Sequence, residues 1–234
     1  MVNDKTIMGK RIIITEDEKN DIKSLYNISE QSNFFKDLAT STLNALISGG
    51  NPEGKESEKV TNVSEKGQEL LNNPIFKTKL TEISNAIGID ENSIIKLMNH
   101  ESGLDPKIEN NLGCVGLIQF CPDSSGGSTK TINGKVYNLE ELKNNLELQM
   151  DVIKDFWLSG KNNGKIKSSK DLYIYNFFPV AAGKPNDYVL QTDSLSAEKI
   201  ANQNPIFNSV LGRNKNTPLT VGDLEDFYRK QGMV

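Results

Sequence analysis

The chain is poor in metal and redox ligands. One histidine, His100, and two cysteines, Cys114 and Cys121, are all it has in 234 residues. A structural zinc site takes four such ligands, so no metal and no cofactor is expected. Two cysteines seven residues apart are not a disulfide framework. We read them as small buried hydrophobes, since a bridge needs their Cβ atoms within about 4.5 Å. A thiol–imidazole pair with His100 has no other residue to support it. Also missing is any run of 18 apolar residues, so no membrane-spanning helix is expected. Met1 to Lys10 lacks the apolar stretch and cleavage site of a secretory signal, and export is expected to use another route. Nor is the chain basic. Its 27 Lys and Arg stand against 31 Asp and Glu, for a formal charge of −4, so nucleic acid and anionic membranes are not expected partners.

Apolar residues make up only 36% of the chain, with a mean hydropathy of −0.49. The deficit is local. Residues 49–68 (GGNPEGKESEKVTNVSEKGQ) hold two Val as their only apolar side chains. We therefore expect a flexible linker over 49–69, between a small N-terminal unit, 1–48, and a main domain, 70–234. In the first unit Arg11 to Thr15 is β-rich, and Thr15-Glu16-Asp17-Glu18 reads as a capping box opening a helix. A second helical stretch carries Phe34, Phe35, Leu38, Leu43, Leu46 and Ile47 and stops at Gly49-Gly50.

The main domain reads as mainly helical. Asn73-Pro74 suits the start of a helix with Ile75, Phe76, Leu80, Ile83 and Ile87 at helical spacing, closed by Gly88. Asp90 caps the next helix, which Gly103 and Pro106 end. Ile132-Asn133-Gly134-Lys135 is a hairpin signal inside the turn-rich stretch that follows. One long helix is predicted from Leu139 to Leu158 and a short one from Asp171 to Phe178. Asn204-Pro205 breaks the chain, and Thr220 caps a last helix with Leu224 and Phe227. The fold class is mainly α with one small hairpin or irregular excursion.

One position breaks the hydrophobic pattern. Ile94, Leu97 and Met98 form the core face of helix 91–101, and the next residue on that face is Glu101. Burial and the negative end of the helix dipole both disfavour a charged carboxylate there. A carboxyl group held protonated near neutral pH is what a general acid requires.

The surrounding residues carry a resemblance. Glu101-Ser102 ends a helix, Gly116-Leu117-Ile118-Gln119 follows, and Tyr175-Asn176 lies further on. This set, in this order, resembles the soluble-type lytic transglycosylases and their relatives, the goose-type lysozymes, over about residues 70–190. Those proteins show Glu-Ser, Gly-Leu-Met-Gln and Ala-Tyr-Asn motifs. Here Ile118 replaces Met, and Phe177-Phe178-Pro179 replaces the small residues that usually follow Tyr-Asn. Tyr173 competes with Tyr175 as the functional tyrosine.

The resemblance implies a lysozyme-like helical fold and peptidoglycan as substrate, cut at the β-1,4 bond between N-acetylmuramic acid and N-acetylglucosamine. It implies Glu101 as catalytic acid and Tyr175 as its helper. Ser102 would hold Glu101 by a hydrogen bond. Gly116, Leu117, Ile118, Gln119, Tyr173 and Asn176 would line the substrate groove, with Gly116 letting the backbone approach the sugar. A transglycosylase closes a 1,6-anhydro ring and needs no second carboxylate. A muramidase-type endolysin would need one, with Asp123 the first choice ahead of Asp105 and Glu109. A weakly active, glycan-binding structural component of a virion is the third reading. The N-terminal unit and linker suggest a phage tail- or virion-associated lysin, docked to other virion proteins through residues 1–48 and acting in the host periplasm or cell wall. An endolysin would instead wait in the host cytoplasm for holin-dependent release.

Overall fold

The structure, a computed structural model, describes residues 63–234 except 125 and 194, together with two short strands near the N-terminus. The chain divides into two compact units, Met1–Glu53 and Gly54–Val234. In the first, β1 (Lys5–Ile7) pairs antiparallel with β2 (Lys10–Ile12). The capping box at Thr15, the helical readings over 16–48 and most of the linker lie outside the described residues.

The second unit is helical, and its boundaries follow from its caps. Helix α1 (Glu65–Asn72) starts at Ser64, whose side chain accepts from the Gly67 amide. This corrects the sequence reading at 65–69. That end of the expected linker is helical because Ser64 supplies a cap and Leu70 an apolar anchor that is 5% exposed. Helix α2 (Pro74–Ile87) is capped by Asn73 and ends on Gly88 at φ 70°. Helix α3 (Glu91–Ser102) is capped by Asp90 and ends on Gly103 at φ 62°, the left-handed backbone that glycine adopts without strain. The Asn-Gly signal is a hairpin of β3 (Thr129–Ile132) and β4 (Lys135–Asn138), turning on Asn133 at φ 51° and Gly134 at φ 80°.

The predicted helix 139–158 is two helices, α4 (Leu139–Asn144) and α5 (Leu146–Asn162). Asn145 is extended between them, and its side chain accepts from the Leu148 amide to cap α5. The apolar periodicity ran through the break unaltered, so it could not reveal it. Helix α6 (Ser169–Phe177) follows, then α7 (Ala197–Gln203) and α8 (Pro205–Val210), split at Asn204. Helix α9 (Val221–Lys230) opens on a capping box between Thr220 and Asp223.

Helices α2 and α5 pack along each other at the centre of the core. Phe76, Ile83 and Trp157 are wholly buried there. A second cluster ties the C-terminal helices together. The Phe207 ring lies 4.8 Å from Phe177 and 4.4 Å from Phe227, and Tyr228 lies 5.4 Å from Tyr173. These contacts fix the end of α6 against α9. The end of α6 carries Asn176, so the cluster also positions the site.

Candidate active site

Glu101 stands in the last turn of α3. The residue is half-buried, and the packing around its carboxyl group pushes the pKa up from 4.5 to about 7. Opposing this, the side-chain amide of Asn176 on α6 donates to Glu101 Oε1 at 3.2 Å and favours the ionised form. Burial dominates. At neutral pH the group is close to half protonated, and it can both give and take a proton.

Asn176 is the hub of the site. Its Nδ2 also reaches the Ile118 carbonyl at 3.5 Å, so one amide spans Glu101 and the Gly-Leu-Ile-Gln turn. Its Oδ1 is buried and has no protein partner. A buried acceptor left unpaired is costly; placed beside the acid, it suits a hydroxyl or N–H of a substrate.

The Gly116–Gln119 turn is the tip of a small hairpin. The Val115 amide donates to Phe120 O at 3.0 Å, and the Phe120 amide donates back to Val115 O at 2.9 Å. One step further out, Cys114 and Cys121 form a disulfide. This corrects the reading of the two cysteines as unpaired hydrophobes and removes the thiol–imidazole pair. Cys114 is buried, but Cys121 is exposed. The pairing across the Val115–Phe120 bridge brings the two together, which spacing along the chain could not show. Gln119 takes φ 57°, strained for a residue with a side chain, and its Nε2 donates to Gly116 O at 3.0 Å. Closing so short a loop stabilises by about 2–3 kcal/mol in the chain-entropy account. Reduction by a thiol is therefore expected to lower the melting temperature by several degrees, read by calorimetry with and without reductant.

A buried residue that sequence reasoning missed fastens this turn to the core. Gln149 on α5 accepts from the Leu117 amide at 2.8 Å and donates to Pro106 O at 3.0 Å and Leu142 O at 2.9 Å. It explains Gly116. A Cβ there would lie 2.6 Å from Gln149 Nε2, and the backbone sits at φ 76°. The close approach that requires glycine is to Gln149, not to the sugar as the sequence suggested.

Other expected site residues fall elsewhere. Ser102 does not hold Glu101. Its hydroxyl is buried and donates to Met98 O at 2.7 Å within α3. Tyr173 is fully buried, with its hydroxyl donating to Ser93 O and Met233 O, so it offers no surface to a sugar. Tyr175 is 7% exposed, shares a hydrogen bond with Ser159 and packs 5.0 Å from the Phe156 ring. It supports α6 against α5, and the role beside Glu101 passes to its neighbour Asn176. Leu117 and Ile118 are buried, and what Ile118 presents to the site is its carbonyl. Tyr228 on α9 was not singled out in the sequence. It is buried, and its hydroxyl pKa is raised well above 10 by burial and then by the charge of Glu101. His100 packs 5.8 Å from the Phe227 ring and 6.2 Å from Tyr228, and burial lowers its pKa to about 4.

The carboxylates considered as a second catalytic group are all engaged. Asp123 accepts from the Thr131 amide at 2.7 Å and pairs with Lys130 at 3.4 Å, which holds its pKa below the usual carboxylate value. Asp105 pairs with Lys66 and Glu109 with Lys143. No group of three or more metal-ligating side chains occurs among the described residues.

A half-buried glutamate thus closes one helix of a helical domain, and an asparagine from another helix holds its carboxyl group. Residues 80–184 match the family model of the transglycosylase SLT domain, and the mainly helical fold is consistent with that lysozyme-like domain. That family degrades peptidoglycan by cutting glycosidic bonds. Searches of curated proteins and of solved structures returned no match.

Proposed function

We propose that the protein is a peptidoglycan lytic transglycosylase that works with one carboxyl group, Glu101. The observation that carries this reading is the raised pKa of a glutamate held by Asn176, with the nearby candidate carboxylates committed elsewhere. Glu101 protonates the oxygen linking N-acetylmuramic acid to N-acetylglucosamine, and the C1–O bond breaks. The resulting carboxylate takes the proton of the muramic C6 hydroxyl as that oxygen bonds to C1, closing a 1,6-anhydro ring. The proton returns to Glu101, so the enzyme ends as it began. Asn176 Oδ1 accepts a hydrogen bond from the bound sugar, and its Nδ2 keeps the carboxyl group aimed.

Hydrolysis with Asp123 as base draws less support, because that carboxylate is spent on the β3–β4 hairpin. We further propose a virion-borne lysin, on the strength of the apolar-poor span between the N-terminal unit and the catalytic domain. Western blotting of purified particles would find the chain there; its presence in late lysates alone would point to an endolysin.

The activity is tested by a zymogram on purified peptidoglycan, where clearing is expected. A second expectation arises from Asn176. Its hydrogen bond lowers the Glu101 pKa, so Asn176→Ala raises that pKa further above about 7. The alkaline limb of the pH–rate profile then moves to higher pH, while kcat falls about 10- to 100-fold through lost positioning. A profile that stays in place would contradict the assigned contact.

A further inference from the structure

The Gly116–Gln119 turn hangs between two arms of unequal support. On the incoming arm the Cys114 amide donates to Asn110 Oδ1 at 3.1 Å, and the Cys114 carbonyl accepts from the Asn110 amide at 3.0 Å. Gln149 then anchors Leu117. The returning arm runs from Ile118 through Gln119, at φ 57°, to Phe120 and Cys121. It is tied back by the Val115–Phe120 pair and by the Cys114–Cys121 disulfide. Ile118 stands where the two arms meet. Its carbonyl accepts from Asn176 Nδ2 at 3.5 Å, and the same Nδ2 holds Glu101 at 3.2 Å. A line of contacts thus joins the disulfide to the acid. Cys114 is 1% exposed, whereas Cys121 is open to solvent. The chain has no third cysteine, so within one molecule the pair is either joined or reduced.

We propose that this disulfide is a redox latch on the active site: joined, it holds Ile118 O against Asn176 and the enzyme is fully active; reduced, it frees the returning arm and activity drops. The exposed Cys121 Sγ is the point of attack. A thiolate of a dithiol reductant bonds to it, the S–S bond breaks, and Cys114 leaves as a thiolate that takes up a proton. The second thiolate of the reductant then displaces Cys121, which also takes up a proton, and the reductant ends as a disulfide. Two electrons and two protons pass to the protein. A disulfide oxidant such as glutathione disulfide reverses the exchange. The Gln149 and Val115–Phe120 hydrogen bonds do not depend on the sulfurs, so the turn loosens while the fold stays. The inference rests on the transglycosylase reading for the activity it controls. It makes the enzyme most active where disulfides persist and weaker among the thiols of a cytosol.

The test compares the full chain before and after treatment with dithiothreitol at 25 °C, with near-ultraviolet circular dichroism to follow the fold. Reduction is expected to leave the protein folded and to slow peptidoglycan cleavage about three- to tenfold, the scale of a lost positioning contact. Glutathione disulfide should restore the rate. The double variant Cys114→Ala, Cys121→Ser should stay at the reduced rate and ignore both reagents. In Asn176→Ala the effect of reduction should disappear, because the arm acts through that amide. A second readout does not depend on cleavage. Carbon-13 NMR of the Glu101 carboxyl group should show its pKa rising on reduction, as the Asn176 hydrogen bond that lowers it loosens. An unchanged Glu101 titration, or cleavage at one rate in both states, overturns the latch. So does unfolding on reduction, or an equal loss in Asn176→Ala, since either would make the bond a general brace. The two readings fail separately. A Glu101 titration that follows the redox state, without strand cleavage, keeps the latch and refutes the transglycosylase; cleavage at one rate in both states does the reverse.

Discussion

Replacing Glu101 by Gln is expected to lower peptidoglycan cleavage by about 10²- to 10⁴-fold, the contribution of a positioned general acid. The same change should stabilise the protein at alkaline pH. The carboxyl pKa is about 7 in the folded chain and about 4.5 in the unfolded one. The folded state therefore binds more protons between these values, and wild-type stability falls as pH rises through that window. Above pH 7 the penalty is complete, on the order of 3 kcal/mol; below pH 4.5 it is absent. Glutamine carries no such penalty and still accepts from Asn176. Denaturant melts at pH 5 and pH 8 should show Glu101→Gln gaining much more on wild type at the higher pH. A gain of equal size at both would mean that the carboxyl group is not desolvated. His100 contributes the opposite slope. Its folded pKa is about 4, so its part of the stability is present above about pH 6.5 and is lost as pH falls toward 4. Comparing the variant with wild type at each pH cancels this term.

Gln149→Ala is expected to be the most damaging change away from the acid. It removes three hydrogen bonds, two of them buried, and leaves the Leu117 amide and the Pro106 and Leu142 carbonyls without that partner. Stranded buried groups of this kind cost roughly 3–5 kcal/mol together. For a domain of this size the melting temperature should drop by about 10 °C. Activity should fall with it, because the Gly116–Gln119 turn loses its anchor and Ile118 O moves relative to Asn176. Gly116→Ala should cause a similar loss, since its Cβ would collide with the Gln149 amide. The double variant should be less destabilised than the sum of the two, because truncating Gln149 removes the atoms the new Cβ would strike. A fully additive pair would contradict the contact.

These residues also mark where sequence reading succeeds and where it stops. Glu101 was legible because a helical face is periodic, and a carboxylate at its next position stands out among Ile94, Leu97 and Met98. The motifs around it then narrowed the chemistry. Most helix ends were legible too, since caps are local, as at Asn73-Pro74, Gly88, Asp90 and Thr220. Three asparagines, Asn73, Asn138 and Asn145, each cap a helix in this way. The break at Asn145 was not legible, because α4 and α5 keep their apolar residues in phase across it. Gln149 was invisible for a different reason. Its partner Leu117 lies 32 residues away, and a glutamine in a helix looks like surface until the fold buries it. The choice between Tyr173 and Tyr175 depended on which side of α6 faces Glu101. The structure gives that side to Asn176 and commits both tyrosines to packing.

Product chemistry tests the central claim most directly. Purified peptidoglycan digested by the wild-type protein is analysed by mass spectrometry, with the Glu101→Gln protein as control. One-carboxyl catalysis predicts muropeptides ending in 1,6-anhydro-N-acetylmuramic acid, lighter by one water than hydrolysis products, and none from the control. Reducing N-acetylmuramic acid ends as the main product would contradict it and would mean that a second group activates water.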